Sequence, residues 1–200
     1  MLPKSLSWKI ATHLGRVRLR RAGHQLGTGV RLLGNPLVHG AGCVVLGDRV
    51  VLTSDARGTA LGTRGPVILH TLHPDARIVI GDDSGISGGV ICAGGRVEIG
   101  KRCLLGADVF IFDTDFHPIE PEGRRYARPD FASFHRPVVI GDDVFIGTRS
   151  TITKGVRIGA GSVIGAGSVV SSDIPPGVIA AGVPARVVRP IAPGEVPPRS

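Results

Sequence analysis

From residue 140 the chain places an aliphatic residue at every sixth position: Ile140, Ile146, Ile152, Ile158, Ile164 and Val170, with Gly141, Gly147, Gly159 and Gly165 directly after four of them. The fourth residue after each aliphatic is small or β-branched (Val144, Ser150, Val156, Ser162, Ser168, Ile174), so that position also tolerates little bulk. A weaker copy lies upstream in Ile80, Ile86 and Cys92, then Ile99, Leu105 and Ile111. The phase slips by one residue between the two sets, which predicts a one-residue bulge at a corner. Leu46 and Leu52 form an earlier fragment, and the Gly/Thr/His-rich stretch from there to about residue 75 reads as a loop or irregular coil.

Alternation by two would give half-buried strands and a period of 3.6 would give helices. A strict six with glycine predicts short strands joined by tight corners, three hexads making one triangular turn of a parallel β-helix. Each aliphatic points inward, and successive coils stack about 4.8 Å apart, pairing with their neighbours around a continuous aliphatic column. Cys92 and Cys103 occupy inward positions in this reading and serve as small buried hydrophobes.

The rhythm stops after Ile111. Six residues further on stands His117, where an inward aliphatic is due, and the next secure hexad begins at Ile140, so residues 117–137 are expected to form a protruding loop. Seven of the eight aromatic residues (Phe110, Phe112, Phe116, Tyr126, Phe131, Phe134 and Phe145) lie in or beside it, either as a small satellite core or as surface that can cover a bound ligand. A hydroxyl is a poor nucleophile at neutral pH, and a nearby imidazole such as His117 can take its proton as it attacks an electrophilic carbonyl. Asp115 or Asp113 could accept the other imidazole N–H and fix the tautomer, and Asp115 is the preferred partner.

Composition narrows the setting. Two hundred residues suit one main domain, and 30 glycines with few aromatics disfavour a helical bundle. Cys43, Cys92 and Cys103 are odd in number without CxxC spacing, which points to a reduced cytoplasmic compartment and away from a disulfide framework or zinc site. His13, His24, His39, His70, His73 and His135 share no metal-ligand spacing, so no metal is expected, although His70, His73 and His117 could converge in the fold. No apolar run reaches membrane-spanning length and no signal-peptide pattern opens the chain.

The net charge of +8 gathers partly at the N-terminus. Leu6, Ile10, Leu14 and Val17 follow helical spacing among Lys9, Arg16, Arg18, Arg20 and Arg21, giving a basic amphipathic helical segment over residues 1–34. Such a helix can lie on an anionic membrane with Trp8 at the interface, at the inner face of the membrane, or pack against its own coil or a neighbouring subunit. Nucleic acid is not an expected partner, because no recognition motif accompanies the charge. Residues 192–200 form a proline-rich tail expected to be mobile.

Over residues 35–191 the chain resembles the hexapeptide-repeat acyltransferases, most strongly from "VIGDDSGISGG" to "SSDIPPGVIAAGVPARVVRPI". The ending "AAGVPARVVR" is similar to the C-terminal signature of the sugar and antibiotic O-acetyltransferase branch. "IFDTDFHP" resembles the segment holding the active-site histidine in acetyltransferases of cell-surface polysaccharide biosynthesis. The resemblance implies an all-β fold, a left-handed parallel β-helix, and a homotrimer with active sites between subunits. It implies O-acetylation of a sugar hydroxyl on a cell-surface polysaccharide or its precursor, with acetyl-CoA as donor and His117 at the site. Gly147, Thr148, Ala166 and Ser171 would line the pantetheine groove, with Arg186 and Arg189 near the nucleotide; Ser171 and Ser172 stand where relatives often have Thr-Lys. N-acetylation of an amino sugar and a noncatalytic β-helix scaffold remain as alternatives.

Overall fold

A computed structural model describes residues 4–126, 134–192 and 194. A helix over Lys4–Arg21 leads into a coil of short strands that stack into three sheets. The first face carries six parallel strands, Gln25–Leu26, Cys43–Leu46, Arg77–Ile80, Arg96–Ile99, Val138–Ile140 and Arg157–Ile158. The second face has eight, of which the last, Ala185–Pro190, turns back antiparallel on Val178–Gly182. The third face has six, running from Leu37–Gly40 through Ile68–Thr71, Val90–Ala93, Phe110–Phe112 and Thr151–Ile152 to Val169–Val170. This is a parallel β-helix, as the six-residue period requires.

Two boundaries differ from the sequence reading. The coil begins at Gln25, inside the segment expected to be the helical N-terminus, because Leu32 already fills an inward position and Arg31–Leu33 pairs with Val51–Thr53. The stretch to residue 75 is not wholly irregular: Ile68–Thr71 pairs on both sides with third-face strands. Of the two settings expected for the helix, Trp8 takes the coil-packed one, its indole N–H donating to Asp55 Oδ2 at 3.1 Å.

The inward residues line up in register. On the second face Leu32, Leu52, Ile86, Leu105, Ile146 and Ile164 stack one above another, all within 4% of full burial. The small positions are inward too, and the buried hydroxyls of Ser84, Ser150, Ser162 and Ser168 each donate to a carbonyl at 2.6–3.0 Å, so no polar atom is stranded there.

The phase slip is not the single bulge the sequence predicts. Ile91, fully buried and paired with Leu69 and Ile111, holds the inward position assigned to Cys92. The corner before it is one residue short, turned by Gly88 and Gly89 at φ 62° and 83°, which a side chain resists. The corner after it is two residues long, and the difference is the observed slip. Cys92 sits on the outward row beside Phe112, though only 7% exposed, and its thiol is pushed up to about 11 by burial and then by the Asp113 charge. Cys103 is inward as expected.

Corners join each coil to the next. Between the first and second faces, Asp48, Asp82 and Asp142 each turn Oδ1 onto the N–H of the coil before, at Thr28, Asp48 and Lys101 (2.7, 2.9 and 2.9 Å). The following residues, Arg49, Asp83, Arg102 and Asp143, adopt left-handed φ of 56–59° and pair as Arg49–Asp83 and Arg102–Asp143. These exposed ion pairs add little energy each, but they fix the corners in register.

Candidate active site

The break after Phe112 is built by Asp113. Its fully buried carboxylate accepts the N–H groups of Gly94, Gly95 and Arg96 (2.5, 2.8 and 2.6 Å), three backbone donors on the overlong corner of the preceding coil. The departing and returning chain then meet: Thr114 bridges His135 in antiparallel fashion and Arg136 N–H donates to the Asp113 carbonyl at 2.8 Å. The His135 ring lies against Gly95, where a β-carbon would come within 2.0 Å of Cδ2. Asp113 is thus a clamp at the neck of the excursion and makes no hydrogen bond to His117.

Beyond the neck, Asp115 pairs with Lys154 Nζ, which projects from the corner of the next coil. The pair is partly buried. Phe116 takes φ 64°, a left-handed conformation unusual for a bulky residue, and its ring tilts against Phe112 with centroids 5.6 Å apart. His117 follows, exposed and without a hydrogen bond to the described residues. The aspartate preferred as its orienting partner therefore belongs to Lys154 through Oδ2, while Oδ1 has no donor among the described residues. The expected loop over 117–137 includes residues 127–133, Phe131 among them, which lie outside the described residues, as does most of the expected tail over 192–200. Among the described residues no group of three His, Cys, Asp or Glu side chains is arranged to hold a metal; His39 and His70 pack edge to face on the third face.

The donor candidates divide between two corners. Gly147, Thr148 and Ala166 stack at the corner between second and third faces, where a β-carbon on Gly147 would fall 2.5 Å from the Ala166 nitrogen. Arg186 continues this line, since its strand pairs it with Ala181, whose β-carbon borders Gly165. Arg189 lies further along the same strand, opposite Ile179. Ser171 is separate: it follows Val169–Val170 at the far edge of the third face, beside the corner that carries Lys154.

The sequence reading missed one property of the first group. Where the neighbouring corners use aspartates, this one has Ala107, Thr148 and Ala166, and their N–H groups make no hydrogen bond within the described chain. Thr148 Oγ1 turns to the Ala107 carbonyl instead (2.6 Å). Ala107 is buried, so the open edge consists of the Thr148 and Ala166 N–H groups, which have no acceptor among the described residues. The signal was present as the missing aspartate in "GTRS" and "GAGS" beside "GDDV". Lys154 and His135 were also missed, because only the folded neck brings them to Asp115 and Gly95.

The family model for the hexapeptide repeat of succinyl-transferase matches residues 96–111 and 137–172, the regular coils on either side of the neck. A galactoside O-acetyltransferase of Escherichia coli K12 is 47% identical over 95 residues, covering 48% of this chain and 44% of that enzyme. A 2,3,4,5-tetrahydropyridine-2,6-dicarboxylate N-acetyltransferase of Staphylococcus aureus is 43% identical over 53 residues, 26% of this chain and 22% of the other. The chain thus spans less than half the length of these curated relatives. A Vibrio cholerae hexapeptide-repeat acetyltransferase, solved with acetyl-CoA, superposes with a TM-score of 0.57 at 25% identity, covering 94% of this chain and 87% of that one. The period, the coil and these matches together make the chain similar to the hexapeptide-repeat acetyltransferases, whose left-handed parallel β-helix the stacked sheets fit.

The clamp can be tested apart from any chemistry. Asp113→Asn leaves one acceptor oxygen and one donor group facing three N–H donors, and should cost about 2–4 kcal/mol of stability. Denaturant unfolding reads this directly, and an unchanged midpoint would show that the three hydrogen bonds do not hold the neck.

Proposed function

We propose that the protein is an acetyltransferase that moves the acetyl group of acetyl-CoA to a sugar hydroxyl, on a cell-surface polysaccharide or its precursor. The observation that carries this reading is the exposed imidazole of His117, unpaired among the described residues and presented by a clamped break in an otherwise regular coil. In the reaction the imidazole accepts the hydroxyl proton as the oxygen attacks the thioester carbonyl. The tetrahedral oxyanion collapses, the C–S bond breaks, and the imidazolium returns the proton to the departing thiolate. Asp115, held by Lys154 through Oδ2, offers Oδ1 to the other ring nitrogen and favours the imidazolium as it forms. An amine acceptor could use the same base. The hydroxyl is preferred because the match to the galactoside O-acetyltransferase extends over 95 residues against 53 for the N-acetyltransferase.

The donor binds along the corner of Gly147, Thr148 and Ala166, with Arg186 and Arg189 toward its phosphates and Ser171 at the neighbouring corner. Within one chain that corner and His117 lie on opposite edges of the third face, so the site is completed by a second subunit in a homotrimer. Leu104 and Phe145, in register on the second face at 60% and 45% exposure, and Phe110 on the third at 46%, give such an assembly apolar surface to cover. Peripheral contact of the N-terminal helix with a membrane would bring a lipid-linked acceptor to the site.

Three measurements test this. Light scattering should give three times the chain mass of 20.8 kDa, and a monomer active at assay concentration would defeat the shared site. His117→Ala should lower turnover by about 10² to 10⁴ while leaving acetyl-CoA affinity intact, with Asp115→Asn falling less; wild-type turnover by the folded trimeric alanine variant would remove His117 as the base. Ala166→Asp should place a carboxylate over the Thr148 N–H, as Asp142 does over Lys101, so the fold should keep its stability while acetyl-CoA binding in calorimetry weakens by about tenfold or more. Unchanged affinity would locate the donor elsewhere.

A further inference from the structure

The N-terminal helix meets the coil with one face and turns its apolar stripe the other way. At 3.6 residues per turn, Trp8, Thr12, Gly15 and Leu19 fall on a single side. This is the coil-facing side: Thr12 Oγ1 donates to the Leu32 carbonyl and accepts its N–H, both at 3.0 Å, and Leu19 is 3% exposed. Arg18 and Arg20 donate to the carbonyls of Pro36 and Leu26 at 3.0 and 3.1 Å and complete the attachment. Leu6, Ile10, Leu14 and Val17 take no part in it. They occupy the far side, at 43, 44, 63 and 37% exposure, although this is the stripe that should drive a surface helix onto its core.

The charge on this element is one-sided. The helix has six lysines and arginines and no acidic residue. Lys9, His13 and Arg16 run along the border between the coil-facing side and the apolar stripe, and Arg31 of the first coil stands across from them. With Trp8, Thr12 and Leu33 they line a cavity of about 480 Å³ that contains no carboxylate. Lys9, Arg16 and Arg31 form no ion pair with the described residues. Three cations gathered around a partly apolar cleft without a counter-charge repel one another, and an anion seated there relieves the repulsion.

We propose that this end of the coil docks on an anionic phospholipid surface, with the Leu6–Ile10–Leu14–Val17 stripe entering the interface and a headgroup phosphate held among Lys9, Arg16 and Arg31. A second copy of the chain is a poorer occupant. Its helix repeats the same positive charge, and the aspartates along its first corners are already engaged, Asp82 with Lys101, Asp83 with Arg49 and Asp143 with Arg102. A bilayer bearing acidic headgroups supplies apolar depth beside a negative surface, matching both the stripe and its cationic border. The inference deepens the membrane contact in the proposed function but does not depend on acyl transfer, because binding is read without turnover.

Co-sedimentation of the full chain with vesicles of phosphatidylcholine, with and without phosphatidylglycerol, tests it. The bound fraction should rise by about tenfold or more with the acidic lipid and fall as salt is raised. Ile10→Glu combined with Leu14→Glu alters exposed positions, so the melting curve and oligomeric mass should be unchanged while binding to acidic vesicles drops by about tenfold. Arg16→Ala with Arg31→Ala should reduce the acidic vesicles to the level of neutral ones. The proposal is overturned if the wild-type chain does not distinguish the two vesicles or if the glutamate variant binds like the wild type. It is equally overturned if the glutamate variant loses its oligomeric mass, which would make the stripe a subunit contact.

Discussion

The structure depends on how closely one coil approaches the next at its corners. Backbone meets backbone there, and at Gly147 the gap to the Ala166 nitrogen leaves no room for a β-carbon. That closeness lets each coil pass its N–H groups to the coil beside it and keeps the aliphatic column sealed. It also limits what a corner can be used for. Once an aspartate turns back onto the neighbouring N–H, as Asp142 does over Lys101, the corner is closed and inert. Where the aspartate is absent, the same geometry leaves an edge of unsatisfied donors beside Thr148 and Ala166. A small loss of corner hydrogen bonding therefore leaves backbone donors open to an acceptor from outside the coil.

The excursion at residue 113 obeys the same constraint. A chain leaving a coil abandons the hydrogen bonds of one corner, and buried N–H groups without acceptors are costly. Asp113 meets that cost by taking three of them on one carboxylate, and Thr114 and Arg136 close the neck above it. Rigid anchoring lies immediately before the exposed segment. Only three residues separate the buried carboxylate from His117, so the imidazole is positioned from a fixed point although its own surroundings are open.

Much of this was legible in the sequence. The hexads from Ile140 to Val170 give strand positions and register almost residue by residue, because one side chain in six must be aliphatic for the column to close. The first coil was hidden: Leu26, Leu32 and Val38 stand six apart, but only Leu26 is followed by glycine, and basic residues nearby resemble the helix before them. Cys92 was placed one residue out of register because two irregular corners of opposite sign look from the sequence like one bulge. Asp115 is preferred over Asp113 from the sequence, but the distinct roles of the two are not visible there. What distinguishes them is the backbone of Gly94–Arg96 below and the side chain of Lys154 above, and both neighbours are set by stacking between coils, which composition and spacing do not encode.

The two ends of the molecule differ in a way that follows from the coil itself. A β-helix must stop, and an open end exposes strand edges and a cross-section of its core. At the C-terminal end Ala185–Pro190 folds back on Val178–Gly182 and supplies its own cap. At the N-terminal end the helix covers the first coil, and Leu19 enters the core cluster. Capping needs only the Trp8–Thr12–Leu19 side of that helix, so the opposite side is free to vary without loss of fold. That the free side is apolar and bordered by cations without an ion pair among the described residues is therefore not a requirement of capping, and the acidic lipid surface proposed above accounts for both features.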